Sequence, residues 1–387
     1  MEYKYIDLSL QEEIINHFQH LHTHPELSEQ EYQTTEYIKS CLLKMNIELT
    51  DVQPATGVIA IIRGGKPGKT VALRADIDAL PITEDSTHQI CSTHTGVMHA
   101  CGHDSHTAAL LGAAKALNEL SSSLSGNILL LFQPAEETTT GAQAIMDTGV
   151  LEKFSPDAFY SLHMMPTIPT GQVGVRKGPI MAAQKAFTIT VNGKGGHGAS
   201  PHLTIDPILT SAHIIEALQA IGTRRIDPKE PFVLTIGSVH GGSAFNIIPE
   251  SVEIMGTCRL LNNNLSETVE DWIAGIAADT AKIHGCTANT KYSRILPALD
   301  NQPQLSNIAT AVAQEIFTES DVVCQDIMMG SEDFSLFSRY APIFMYHLGC
   351  GNGSAYGLHS PHFQVPDEAV IAGAELFVRT AIRFLED

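Results

Sequence analysis

Positive charge is scarce in this chain: 23 Lys and Arg stand against 43 Asp and Glu in 387 residues, a formal net charge of −20. Such a surface has no basic stripe with which to displace counterions from a phosphate backbone, which excludes a broad electrostatic grip on nucleic acid. Long hydrophobic runs are missing too. No stretch of about eighteen apolar residues occurs, which argues against the membrane, and the opening MEYKYIDLSLQEEI is acidic and polar, unlike a signal peptide. A disulfide framework is the third absence. Seven cysteines, an odd number scattered through a large chain, read as reduced thiols in a cytoplasmic protein. The 43% hydrophobic fraction is ordinary for a globular chain. At roughly 100–200 residues per domain the length predicts two domains and a large core. What is plentiful is histidine: 18 residues, gathered in local clusters.

No internal repeat is visible, and the one low-complexity tract is the serine-rich turn at 121–125. The first forty-five residues read as two amphipathic helices split by His24-Pro25-Glu26; Ile14, Ile15, Phe18 and Leu21 have helical spacing, and Pro25 ends the run. Strands are expected at 58–62 and 70–73, joined by the turn Gly64-Gly65-Lys66-Pro67-Gly68, then a helix over 106–120 and strands at 128–132 and 158–163. Alternating helices and buried strands predict an α/β catalytic domain with a mixed, mostly parallel sheet flanked by helices. The middle of the chain changes character. Strands at 187–191, 232–239 and 252–258 with helices at 205–221 and 267–283 give the order of a two-layer α+β, ferredoxin-like module. The α/β style returns near 300 and ends in a helix over 368–385. The expected organisation is therefore a discontinuous catalytic domain, 1–181 and 295–387, interrupted by an inserted dimerisation domain at 182–294.

The densest chemistry is His99-Ala100-Cys101-Gly102-His103-Asp104-Ser105-His106. On an extended backbone residues two apart face one way, so Cys101 and His103 can reach one metal, with Gly102 allowing close approach. Thiolate and imidazole suit a borderline-soft divalent ion; a buried free cysteine beside surface histidines is the plainer alternative. Next comes Phe132-Gln133-Pro134-Ala135-Glu136-Glu137, after a buried strand. Neighbouring carboxylates on an extended backbone point to opposite sides, so one can ligate a metal while the other serves as general base. A solvated acidic loop is the competing explanation. His163 at a strand end, and Leu358-His359-Ser360-Pro361-His362-Phe363 in a Gly-rich loop, complete the set.

In order, MHACGHD, FQPAEE, LH and LHSPHF resemble the dinuclear metallo-amidohydrolases: hippurate hydrolases, N-acyl-amino-acid deacetylases, auxin-conjugate hydrolases and, more distantly, aminoacylases and carboxypeptidases. LHTHPELSEQE, LRADIDALPI, GKGGHGASPH, FNIIP and GSEDFS extend the resemblance nearly end to end. It implies metal ligands Cys101, His103, Glu137, His163 and His359, with Glu136 as general base. His362 competes with His359, and His99 and His106 with His103. Asp76 and Asp78 share a face at a strand end and are expected to orient the ligating imidazoles; which of them matters more stays open. The resemblance also implies that His197 crosses a homodimer interface to stabilise an oxyanion. Asn246 and Arg259 would hold the substrate carboxylate, a local cation being needed to override the −20 field. One departure stands out: Phe18 and Gln19 occupy places where the family often carries arginines, read as altered helix packing or substrate access.

The implied activity is metal-dependent hydrolysis of N-acyl L-amino acids, with N-acetyl or aromatic acyl groups, to a carboxylate and a free amino acid. Two divalent ions per subunit are expected, zinc or manganese foremost, with cobalt and nickel as alternatives. The runner-up is a dipeptidase or carboxypeptidase on the same site. A thiol nucleophile at Cys101 and a non-catalytic binding protein of the same fold are the remaining readings.

Overall fold

Four segments are almost unbroken runs of buried residues: Val58–Arg63, Ser125–Gln133, Ala158–Pro169 and Ile343–Gly351. Such runs belong to strands covered on both faces. The computed structural model, which describes residues 1, 3–351, 353 and 356–386, groups the chain into two units. The first comprises Met1–Gly178, Asp300–Asp326 and Asp333–Asp387; the second comprises Pro179–Leu299 and Ile327–Glu332.

The first unit is built on an eight-stranded mixed sheet. Its order is Glu48–Leu49, Val58–Arg63, Ser125–Gln133, Lys66–Asp76, Ala158–Pro169, Ile343–Gly351, Val173–Gly174 and Val322–Val323. The central pairs are parallel: Lys66–Asp76 lies between Ser125–Gln133 and Ala158–Pro169, and the latter pairs with Ile343–Gly351. Asp76 is level with Gln133, and Arg74 with Ser161. The C-terminal ends of three neighbouring strands are thus at one edge, where open α/β sheets collect their ligands. Helices Leu8–Thr23, His103–Glu119 and Asp367–Glu386 pack on one another and bury Ile14, Leu110, Ala114 and Phe377 in the same core.

Several boundaries differ from the sequence reading. The turn at 64–68 shrinks to Gly64-Gly65, since a strand begins at Lys66; Ser125–Gln133 lies between the two strands that this turn connects. The helix expected over 106–120 starts at His103. The helix over 205–221 is broken into Pro207–Leu218 and Ala220–Arg224.

In the second unit, Ala183–Asn192, Phe232–Gly241, Ser251–Leu260 and Thr287–Leu296 form an antiparallel four-stranded sheet. With helices Pro207–Leu218 and Ser266–Ile283 the chain order is βαββαβ, the ferredoxin-like arrangement. Phe187, Ile189, Val191, Val252 and Ile254 alternate along the strands and pack with Ile214, Leu218, Val269 and Ile273 of the helices. This unit extends beyond the 182–294 read from sequence, and it recruits Ile327–Glu332. Backbone pairing explains the recruitment: Met328 N donates to Ile180 O, and Ala182 N donates to Gly330 O, each at 2.8 Å.

One fully buried cation ties the first unit together. Arg74 donates from Nη1 to Asp76 Oδ2 (2.7 Å), from Nη2 to Asp333 Oδ1 (3.1 Å) and from Nε to Gln133 Oε1 (2.9 Å). Removing one partner of a buried ionic network leaves an uncompensated charge, typically at a cost of about 3–5 kcal/mol. Arg74→Met is therefore expected to lower the unfolding free energy by roughly that amount in urea denaturation.

Candidate metal centre

Local backbone geometry brings the donors together. Cys101 precedes Gly102, whose φ of 92° turns the chain into the helix His103–Glu119. A side chain at Gly102 would meet its neighbours no closer than 3.4 Å, so glycine is required there for its left-handed backbone, not for close approach. Glu136 and Glu137 sit in a turn after strand Ser125–Gln133, not on an extended segment. Left-handed backbone at Ala135 (φ 51°) sets that turn, and Ala135 N donates to the buried carboxylate of Glu31 at 2.8 Å. As a result both glutamates approach His103 Nε2, each at 3.9 Å, instead of pointing to opposite sides. His359 is left-handed as well (φ 62°) and is pinned by its N–H to Ala100 O at 2.8 Å. Strain of this kind, of order 1–3 kcal/mol per residue, persists only where the surroundings over-determine it.

Among the triads of ligand atoms that result are Cys101-His103-His163 and Cys101-Glu137-His359, with Asp76-His103-His106 and His103-Glu136-Glu137 beside them, each with all its atoms within 4.8 Å of one another. The first two share Cys101. Cys101 Sγ lies 3.5 Å from His163 Nε2, and His359 Nε2 lies 3.4 Å from Glu137 Oε1. The opposite ring nitrogens face acceptors. His103 Nδ1 is 3.0 Å from Asp78 O and 3.1 Å from Asp78 Oδ1; His163 Nδ1 is 2.8 Å from Met164 O. A proton on each Nδ1 leaves the Nε2 lone pairs turned toward Cys101 and the glutamates, the arrangement that prepares histidine for a metal.

The aspartates divide the support. Asp78 accepts from His103 on Oδ1 and from both Glu137 N (3.0 Å) and Ser28 Oγ (2.7 Å) on Oδ2, bracing two donors at once. Asp76 is occupied by Arg74 and by His106 Nδ1 at 2.6 Å. His106 Nε2 in turn accepts from Met164 N at 2.9 Å. With both nitrogens engaged, His106 acts as a strut, which removes it as a competitor of His103.

Charge supplies the fit test for a cation. His103 Nε2 is buried with no hydrogen-bond partner among the described residues, and Glu137 Oε1 has His359 Nε2 at 3.4 Å. Burial opposes protonation of His103, yet Asp76, Cys101 and Asp78 outweigh it and raise its pKa well above the ordinary value. Burial pushes the Cys101 thiol pKa well up, with Glu137 and Glu136 adding to the effect and His103 opposing it. Acidic groups gathered round buried nitrogen and sulfur donors fit divalent cations, whose charge would displace the proton that His103 otherwise holds.

The remaining candidates lie elsewhere. His362 turns away from the triads and pairs with Asp85 Oδ2 through Nδ1 at 2.7 Å. His99 is buried, and burial lowers its pKa to about 4. His197, Asn246 and Arg259 belong to the second unit. His197 is exposed on the ribbon strand Gly196–His197, opposite Ile247, and Gly198 N donates to Asn246 O at 2.8 Å, so His197 and Asn246 are neighbours. Arg259 is no ordinary solvated arginine: it is half-buried and donates to Ser331 Oγ at 2.9 Å. Phe18 is a buried core residue, which accounts for one departure from the family pattern as helix packing.

Residue spacing did not reveal the struts. Glu31 is buried and accepts from Ala135 N and Thr56 Oγ1 (2.9 Å). His22 bridges Asp104 Oδ2 (2.6 Å) and Glu84 Oε1 (2.9 Å). The one available signal was their place inside LHTHPELSEQE and MHACGHD.

Residues 72–383 match peptidase family M20/M25/M40. The chain belongs to this family and is a metal-dependent hydrolase of amide bonds, so the non-catalytic reading falls. Among its relatives, thermostable carboxypeptidase 2 of Saccharolobus solfataricus is 41% identical over 94% of this chain and 93% of its own. N-acetyl-L-cysteine deacetylase of Bacillus subtilis is 38% identical over 98% and 89%. A solved Bacillus subtilis structure, described as a dinuclear metal binding peptidase, superimposes with a TM-score of 0.86 at 35% identity, covering 98% of this chain and 99% of that one. Together with the donor triads, this neighbour supports two metal ions.

The His22 bridge carries a pH signature. Burial opposes its protonation, but its hydrogen bonds to Asp104 and Glu84 prevail and raise its pKa to about 10. A folded-state pKa above the unfolded value of about 6.5 stabilises fully below that value and fades as pH rises through the folded one. The unfolding free-energy difference between wild type and His22→Gln is expected to be largest at about pH 5–6.5, where the carboxylates are still ionised, and to shrink toward pH 10. Denaturation midpoints across that range measure it.

Proposed function

We propose that the protein is a two-metal deacylase that hydrolyses N-acetyl or aromatic N-acyl L-amino acids to a carboxylate and a free amino acid. The observation that carries this reading is the pair of triads joined at Cys101, with Glu136 against the same imidazole. Cys101, His103, Glu137, His163 and His359 would hold the ions, with zinc or manganese favoured by this donor set and cobalt or nickel able to substitute. When bound, the ions supply Lewis acidity, polarising the scissile carbonyl and acidifying water.

Glu136 takes the proton of the attacking water and returns it to the leaving nitrogen, so the amine departs neutral. Asp78 keeps His103 and Glu137 in register throughout, and Asp76 does the same for the scaffold through Arg74 and His106. In a homodimer formed through the inserted unit, His197 stabilises the oxyanion from across the interface, while Asn246 and Arg259 hold the substrate carboxylate. Exposed Phe245, Val239 and Val233 around the His197 ribbon and its neighbouring edge strand support that interface. Seven unpaired cysteines suit a cytoplasmic setting. The thermostable carboxypeptidase relative favours a second reading, cleavage of peptide substrates on the same machinery.

Glu136→Ala is expected to keep its metal and lose about 10²–10⁴-fold in kcat. His197→Ala should likewise keep metal and lose about 10²–10³-fold. Cys101→Ala should lose metal. Elemental analysis beside turnover of N-acetyl, N-benzoyl and dipeptide substrates, before and after chelation, measures all three. A fully active Glu136→Ala protein rejects the assignment of the base. Preference for dipeptides selects the second reading.

A further inference from the structure

A third donor cluster lies outside the centre described above. Asp85, His88 and His362 bring one ligand atom each to within 4.8 Å of one another. Ligands of a tetrahedral zinc ion at about 2.0–2.2 Å stand roughly 3.3–3.6 Å apart, so an ion would replace the 2.7 Å contact between His362 Nδ1 and Asp85 Oδ2, parting that pair slightly while the set closes round it. The cluster has its own orienting partner. His88 Nδ1 is 2.9 Å from Glu84 Oε1, which leaves Nε2 as the lone-pair nitrogen. Glu84 is itself fixed, through His22 Nε2 at 2.9 Å and Ser92 N at 2.6 Å, and its side chain is only 4% exposed. A carboxylate behind the imidazole is the usual companion of a metal-binding histidine. Asp85 and His362, 24% and 37% exposed, leave an ion access from solvent. Hydrogen bonds from Thr87 lead the interactions that lower the Asp85 pKa, keeping the carboxylate ionised and available as a ligand.

We propose that Asp85, His88 and His362 form a third divalent-cation site of zinc type, which fastens the loop carrying His359 to the segment 84–93. The connection already exists in outline: Asp85 N donates to Pro361 O at 3.0 Å, and His362 lies three residues beyond His359. A cation there crosslinks two segments without regular secondary structure, so it restrains the His359 loop without touching substrate. This site is independent of the two-ion reading, since none of its residues belongs to the triads around Cys101.

The test is zinc stoichiometry. Protein stripped by chelation, reloaded with excess Zn²⁺ and desalted is analysed for zinc per chain in wild type, His88→Gln, Asp85→Asn and Cys101→Ala. His88→Gln keeps an amide that can donate to Glu84, and circular dichroism establishes that each variant is folded. Wild type is expected to carry one more equivalent than His88→Gln and Asp85→Asn, and Cys101→Ala is expected to retain that equivalent. Zinc should also slow proteolysis within 84–93 in wild type and not in His88→Gln. Equal zinc content in wild type and both folded variants overturns the site, as does identical protection with and without His88. Failure of the two-ion reading registers separately, as unchanged zinc in Cys101→Ala.

Discussion

Anionic groups buried side by side are the constraint from which the rest of the first unit follows. Asp76, Asp78, Glu136 and Asp333 are buried, and the largely covered Glu137 shares a donor cluster with Cys101. Carboxylates in such a place cost several kcal/mol each unless a cation faces them. Arg74 answers part of this demand, taking Asp76 and Asp333 with its two terminal nitrogens. The rest, around His103 Nε2 and Glu137 Oε1, is faced by imidazoles alone among the described residues, and divalent cations there would complete the balance. The division is physical: a guanidinium is permanent and directional, so it holds the scaffold, whereas an exchangeable ion leaves positions for reactants.

Having the right donors is not sufficient, because an imidazole can present either nitrogen. Backbone and carboxylate acceptors settle that choice before any ion arrives. Asp78 takes the Nδ1 side of His103, and Met164 O takes that of His163, while the Met164 N–H closes off His106 Nε2. Two adjacent backbone groups of Met164 thus help distinguish a donor from a strut. The strained residues Ala135 and His359 are pinned in the same manner, by Glu31 and by Ala100 O. Preorganisation of this kind concentrates the cost of assembly in folding, so little remains to be paid when substrate binds.

Much of this was legible in the order of motifs, and little of it in their spacing. Continuous apolar runs located the sheet, and the change to alternating strands after position 182 marked the ferredoxin-like insertion. The composition of MHACGHD and FQPAEE pointed to metal donors, but for geometric reasons that proved wrong. Spacing implies an extended backbone in both segments, whereas Gly102 and Ala135 are left-handed and direct the side chains by turning the chain. Positive φ at an alanine has no composition signal, since the conformation is imposed by Glu31, over a hundred residues away in sequence. Arg74 was equally hidden. A strand arginine reads as a solvent-facing charge until the partners that bury it, Gln133 and Asp333, are known to meet there.

Cys101 shows how such an environment selects one chemistry over another. A cysteine nucleophile needs a thiolate in the resting protein, which requires a nearby cation or helix terminus to outweigh burial. Cys101 precedes a helix N-terminus and lies near His103, yet complete burial and two adjacent glutamates drive its pKa upward. The same carboxylates that suppress the thiolate attract divalent ions, whose charge reverses the balance and stabilises deprotonated sulfur. On the proposed assignment, sulfur ionisation would follow metal binding instead of preceding attack. This coupling makes Cys101 a fitting atom for the two triads to share: its negative charge develops where the cations need it.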